Sequence, residues 1–340
     1  MWKILSSALV VAALQVPTAQ AQTTANAYEG QQINLIVGFN PGGTYDLYSR
    51  VAAEWLPRYI PGNPSIVVQN MPGAGGALAA NFLHSQAPQD GLTIGMVSQA
   101  AALQQVIAAP GITYDIRDFN WIGRFAPVVE VTAVWNTSPV KTLEDAMVTE
   151  TVIGGTSAGG TSHMMPTIMN QIVGTKFDII LGYSGTNGAE YAMEMGEVDG
   201  AHSTVENLLT QKAEWLEEGK VSLLVQYATE RHPELPDVPA MTEFGTTDED
   251  KQILTLFGSS AEIGRSLIAP PGVPEDRLAI LRDAFTAMVD DPEFQAVLAE
   301  RNLELGAMSG EELQQRVNTT MDLPETVVNR VVELLSEVSE

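Results

Sequence analysis

INLIVGFNPGGTYDLYSRVAAEWL, residues 33–56, contains a complete change of hydrophobic period. Its first seven residues are almost continuously apolar and read as a buried strand. After FNPGGTYD (39–46), the apolar residues Leu47, Tyr48, Val51, Ala52, Trp55 and Leu56 recur at the spacing of one helix stripe. A strand, a glycine-bearing turn and an amphipathic helix form the repeating unit of an α/β fold.

The unit recurs along the chain. SIVVQN (65–70) and LTIGMVS (92–98) read as strands with a helix over 76–84 between them, and VVEVTAVW (128–135) is a long β-branched run. TVIGG (151–155), FDIIL (177–181), EVDGAHS (197–203) and VSLLVQY (221–227) follow, separated by helices. This alternation predicts mostly parallel sheets flanked by helices. The C-terminal third reads as helical over Pro274–Val289, Pro292–Arg301 and Gly310–Val338, the last broken at Pro324. RHPELPDVP (231–239) and GTTDEDKQ (245–252) read as loops.

Composition narrows the function. Met1–Ala21 has a cationic start at Lys3, an apolar stretch from Ile4 to Val16 and a small-x-small end, the pattern of a secretory signal peptide. The mature chain is expected to begin near Gln22 and to be periplasmic. There is no cysteine, which excludes disulfides, thiolate metal sites and thiol nucleophiles. No cofactor and no metal is expected. The net charge of −25 repels nucleic acid and anionic membranes, and no nucleic-acid partner is expected. An anionic ligand would need local groups that outweigh this field.

Two loops stand out as ligand candidates, FNPGGTYD and VIGGTSAGGTSHMM (152–165), because open α/β sheets bind at the carboxyl ends of their strands. Three readings are open. A phosphate cradle lacks both the Gly-Lys-Ser/Thr ending and the Gly-x-Gly-x-x-Gly spacing. A secreted Ser hydrolase would use Ser157 of GTSAG, with Asp199 and either His202 or His232. The third reading is a carboxylate cradle, in which small residues admit a ligand to the unpaired N–H groups of a helix start. Thr44 and Ser162 are its candidate caps or hydroxyl donors. Each hydrogen bond to a charged group contributes about 1.5–3 kcal/mol, so a few cover most of the roughly 8 kcal/mol of a micromolar site.

Eight segments in order, among them INLIVGFNPGGTYD, VVQNMPGAGG, GGTSAGGTSHMM, YSGTNGAEYAMEMGEVDG and LIAPPGVPED, resemble one family. They are similar to the extracytoplasmic solute receptors of tripartite tricarboxylate transporters, the Bug or TctC-like family. The resemblance implies a two-domain periplasmic binding protein of the Venus-flytrap, type II-like class, a non-enzyme acting as a monomer. It would bind a small organic acid (mono-, di- or tricarboxylate, or aromatic) and deliver it to membrane permease subunits. A sensor subunit for a signalling kinase would share the sequence pattern.

By the same resemblance, residues 30–135 with 260–340 form one domain and 136–259 the other. Pro41, Gly42, Gly43, Thr44 and Asp46 would pinch a ligand carboxylate together with Thr156, Ser157, Gly160, Thr161, Ser162 and His163. Tyr183, Gly185, Thr186 and Ser203 would line the same cleft. Asp46 and His163 also read as structural first-turn residues. Asn40, His202 and a longer, more acidic segment near 246–256 depart from the family pattern, and Asn40 and His202 are expected to face or border the cleft.

Overall fold

The computed structural model describes residues 27–336; the expected leader lies outside them. In chain order, β1 (Gln32–Val37), α1 (Thr44–Trp55), β2 (Ser65–Asn70), α2 (Ala77–Ser85), β3 (Thr93–Met96), α3 (Ala101–Val106) and β4 (Asn120–Ala126) come first. Next are β5 (Glu130–Trp135), α4 (Leu143–Val148), β6 (Thr151–Gly154), α5 (Thr161–Ile172), β7 (Phe177–Ile180) and α6 (Gly185–Glu194). They are followed by β8 (Gly200–Thr204), α7 (Val205–Thr210), α8 (Ala213–Glu217), β9 (Val221–Tyr227) and α9 (Asp248–Ile263). The chain closes with β10 (Arg265–Ala269), α10 (Glu275–Val289), α11 (Pro292–Glu300), β11 (Met308–Ser309), α12 (Gly310–Met321) and α13 (Glu325–Ser336).

The strands form two sheets, β11-β4-β10-β3-β1-β2 and β7-β6-β8-β5-β9. Strand β1 shows why each sheet is covered on both faces. Leu35 and Val37 join Tyr48, Val51 and Trp55 of α1 on one face, while Ile36 joins Ala79 and Leu83 of α2 on the other. In the second sheet, Val131 and Ala133 of β5 pack with Ala189 and Trp215, and Val134 packs on the opposite face with Ile153 and Ile168.

The expected mostly parallel sheets are in fact mixed. In the first, β1, β2 and β3 are parallel, and β10 runs antiparallel between β3 and β4. In the second, β6, β7 and β8 are parallel, and β5 runs antiparallel between β8 and β9. Strands β5 and β10 are each the first strand formed after the chain passes from the other sheet, β5 directly after β4 and β10 after α9.

These crossings also move the expected domain boundaries. Strand β5 pairs with β8 and β9, so the change of domain falls at 127–129 and not after 135. Val327, Val331 and Leu334 of α13 sit in the second domain's core beside Ile168 and Phe257, so the chain crosses a third time near 322–324. The first two crossings lie side by side, with Val128 N–H donating to Ala261 O at 2.9 Å. The expected loop over 245–252 is a loop only at its start. Thr247 and Asp250 form a reciprocal capping box that begins α9 at Asp248, so the acidic run is a first helical turn, where it favours the dipole.

Candidate functional site

A cleft of about 740 Å³ lies between the two sheets at the carboxyl ends of their parallel strands. Pro41, Gly42, Gly43 and Thr44 line it from the first domain, and Thr156, Ser157, Gly160, Thr161, Ser162, Tyr183, Gly185 and Thr186 from the second. The sequence reading thus brings twelve of its fifteen candidates to one cavity.

Asp46, His163 and Ser203 do not line it. Asp46 is buried beneath the first loop, where its carboxylate accepts from Gly42 N–H (2.8 Å), Asn70 Nδ2 (2.9 Å) and Arg50 Nε (2.8 Å). Burial alone would raise its pKa; the bonds from Arg50, Gly42 and Asn70 outweigh that and hold it below the usual carboxylate range. His163 Nδ1 lies 3.1 Å from Ala158 O and closes the turn of the second loop. Desolvation, partly opposed by that carbonyl, lowers its pKa and favours the neutral ring.

Ser203 is a correction dictated by strand periodicity. On β8, His202 and Thr204 face the cleft, so Ser203 faces away. Its hydroxyl donates to Glu190 Oε1 at 2.5 Å, and Asn207 Nδ2 donates to the same oxygen at 2.7 Å. Burial raises the Glu190 pKa, with Ser203, Lys212 and Asn207 opposing. A raised folded-state pKa means that this group's contribution to stability is present at low pH and lost as pH rises through that value. Glu190→Gln removes the buried charge and keeps an acceptor. Its stability relative to wild type should therefore rise between pH 4 and pH 7; denaturant melts with a constant difference across that range would contradict this.

Several helices open onto the cleft without a side-chain cap, among them α1 after Gly43, α2 after Gly76, α5 after Gly160 and α6 after Ser184. At the starts of α1 and α5 no side chain caps the helix, and in α5 the carbonyl of Gly160 accepts from His163 N–H at 3.1 Å. Thr142, Thr204, Thr247, Asp291 and Ser309 cap their helices, while α3, α8 and α10 also start without a side-chain cap. Thr44 and Ser162 therefore stand inside the first turns and not at the cap. Ser162 Oγ accepts from Thr156 N–H at 3.0 Å and bonds Thr156 Oγ1 at 2.9 Å, which shapes the second loop. The uncapped N–H groups and both helix dipoles favour an anion between them.

The sequence reading missed a third loop. Gly73, Ala74, Gly75 and Gly76 also line the cleft, and Ala74 and Gly75 adopt left-handed φ of 46° and 62°. Gln104 Nε2 ties this loop to the second one, donating to Gly159 O at 2.7 Å and Ala74 O at 3.2 Å. The clue was the run MPGAGG after a strand, noticed only as part of the resemblance.

The cleft floor carries charge that the glycine loops did not announce. Arg265 Nη2 pairs with Glu206 Oε2 at 2.6 Å, and Glu206 Oε1 also accepts from Tyr48 OH and Glu304 N–H, both at 3.2 Å. Glu206 thus clasps the first domain from the second. Glu130 Oε1 accepts from Thr161 Oγ1 at 2.6 Å. Its Oε2 lies 3.2 Å from His202 Nε2, an ion-pair distance but without hydrogen-bond alignment. The His202 ring stacks on Tyr227 with centroids 5.0 Å apart. Glu130 and Arg265 are the first residues of β5 and β10, so the reversed strands bring them to the floor.

The hydrolase alternative does not assemble. Asp199 accepts from Val152 N–H at the opening end of β6, the end away from Ser157, and His232 belongs to a separate cavity beside Arg124. Among the described residues no histidine bonds Ser157, no cluster of three metal-ligating side chains exists, and no helix is long and apolar enough to cross a membrane.

The profile of the tripartite tricarboxylate transporter family receptor, TctC, matches residues 49–332. A Cupriavidus necator protein, "UPF0065 protein in gbd 5'region", is 27% identical over 95% of this chain and 94% of its own length. BugT of Bordetella pertussis is 28% identical over 70% of this chain and 73% of its own. Among solved structures, periplasmic binding protein BugD superimposes with a TM-score of 0.67 at 21% identity, over 92% of this chain and 99% of that one. MatC of Rhodopseudomonas palustris, solved with bound malate, gives 0.66 at 24% identity over 90% and 99%. Another R. palustris protein, solved with adipate, gives 0.66 at 21% identity over 90% and 97%.

Proposed function

The chain belongs to the tripartite tricarboxylate transporter family of receptors, and from that premise we propose that it captures a small organic carboxylate in the periplasm and delivers it to membrane permease subunits. One observation carries this reading: α1 of one domain and α5 of the other present uncapped N-termini to a single cleft. Closing the domains on a carboxylate would satisfy both sets of N–H groups at once. The carboxylates named with the two R. palustris structures support the same ligand class. Gly43, Thr44, Gly160 and Thr161 would make the first contacts. Glu206 and Arg265 would hold the domains in register as they close.

The test is calorimetry of the purified chain against a panel of mono-, di- and tricarboxylates. Because neutral backbone donors hold the anion in a sheltered cleft, affinity should change by less than about threefold between low and physiological salt. A steep loss of log affinity with log salt would identify binding through surface cations instead.

A further inference from the structure

The cleft wall carries three formal charges, Glu130, Glu206 and Arg265, which sum to −1, and Arg265 is already bonded to Glu206. A second carboxylate reaching this floor would meet two like charges and one cation, Arg265, whose charge Glu206 already balances through Nη2. Around it stand six amide side chains, Asn40, Gln99, Asn187, Asn207, Gln211 and Asn302, groups that both donate and accept.

Four of the lining residues hold buried polar atoms without a hydrogen-bond partner, and they are of both kinds. Gln99 Oε1 and Glu130 Oε2 are acceptors, Arg265 Nε and Nη1 are donors, and the His202 nitrogens supply one of each in the neutral ring. Gln99, His202 and Arg265 are at least 96% buried, and Gln99 and Arg265 come from the first domain while Glu130 and His202 come from the second. Contacts link them in pairs: Gln99 N–H donates to the Tyr45 hydroxyl at 3.3 Å with the Arg265 guanidinium 5.8 Å from that ring's centroid, and Glu130 Oε2 lies 3.2 Å from His202 Nε2.

A carboxylate only accepts and an ammonium only donates, so either would leave half of these atoms unmet. A hydroxyl does both. We infer that the bound acid carries one carboxylate, held by the glycine loops, and a neutral, multiply hydroxylated chain that meets Gln99, Glu130, His202 and Arg265 at the floor. This rests on the receptor reading and narrows it to hydroxylated monocarboxylates. These atoms have almost no accessible surface in this conformation, so meeting the ligand requires the floor side chains to turn toward the cleft.

The experiment is calorimetry on the mature chain with four probes of equal carbon number: gluconate, adipate, hexanoate and 6-aminohexanoate. Gluconate should bind at least about tenfold tighter than each of the others, since a site built around hydroxyl partners rejects analogues that lack them. If adipate or 6-aminohexanoate binds as tightly as gluconate, the hydroxyl assignment is overturned and the receptor reading stands. If none of the four binds saturably, the hydroxyl assignment falls, and the wider carboxylate panel decides the receptor reading. Gln99→Leu should weaken gluconate by about tenfold and leave hexanoate unchanged. Glu130→Gln keeps the acceptor for Thr161 while removing the charge, and should narrow the gluconate-over-adipate preference by about tenfold. A preference unchanged in Glu130→Gln, the variant least prone to misfold, would also overturn the assignment.

Discussion

Replacing Gly43 with valine is expected to abolish carboxylate binding while leaving the fold intact. Gly43 has an ordinary extended backbone, φ −78° and ψ 168°, which valine adopts without strain. A Cβ built there meets only Asn40 O, at 3.8 Å, so the protein itself has room for it. The added methyl groups would instead occupy the approach to the α1 N-terminus. Losing two charge-assisted hydrogen bonds weakens binding by about a thousandfold. Gly160→Val should abolish binding too, but less cleanly, because its Cβ would press on Ser157 Oγ at 3.2 Å and disturb the second loop. Ser157→Ala should be mild, within about tenfold, since one hydroxyl is at most one donor among several. The readouts are calorimetry for binding and a thermal melt for folding. Near-normal affinity in a folded Gly43→Val protein would remove the α1 N-terminus from the site, and loss of function in Ser157→Ala alone would restore a special role for that serine.

Much of this arrangement was legible because local period and global fold agree. β2 (Ser65–Asn70) and β9 (Val221–Tyr227) were read to the residue, since each is a short apolar run bounded by polar or turn residues. The glycine loops were legible for the same reason that they work: a loop that brings backbone close to a ligand cannot carry large side chains. What was not legible depends on distant pairing. Strands β4 (NWIGRFA) and β10 (RSLIA) have no strong alternation, and each is explained only by its partner across the crossing. Glu130 and Arg265 look like ordinary strand-end charges until the reversed strands place them on one floor. Ser203 shows the smallest margin, because shifting one residue along β8 exchanges the cleft face for the buried face.

The crossing itself should be the least tolerant point in the chain. Gly264 has φ 51° and ψ −137°, a conformation open to glycine and poorly accessible to other residues. A Cβ there would lie 2.1 Å from Ala126 O and 2.8 Å from Pro127 Cα, both backbone atoms of the neighbouring crossing segment. Neither can retreat without breaking the β4–β10 register, in which Arg265 pairs with Ala126, or the Val128–Ala261 hydrogen bond. Gly264→Ala is therefore expected to cost on the order of 4 kcal/mol, by overpacking and backbone strain together. For a chain of this size that lowers the melting temperature by roughly 6 °C. Gly196→Ala separates the two contributions, since Gly196 shares a positive φ of 76° but has nothing within 4 Å of its Cβ position. Its cost should be only about 1 kcal/mol. Equal melting temperatures for the two variants would show that the crossing segments move apart freely. Glu206 and Arg265, which meet beside that crossing, would then be left as the contacts that set how the two domains approach each other.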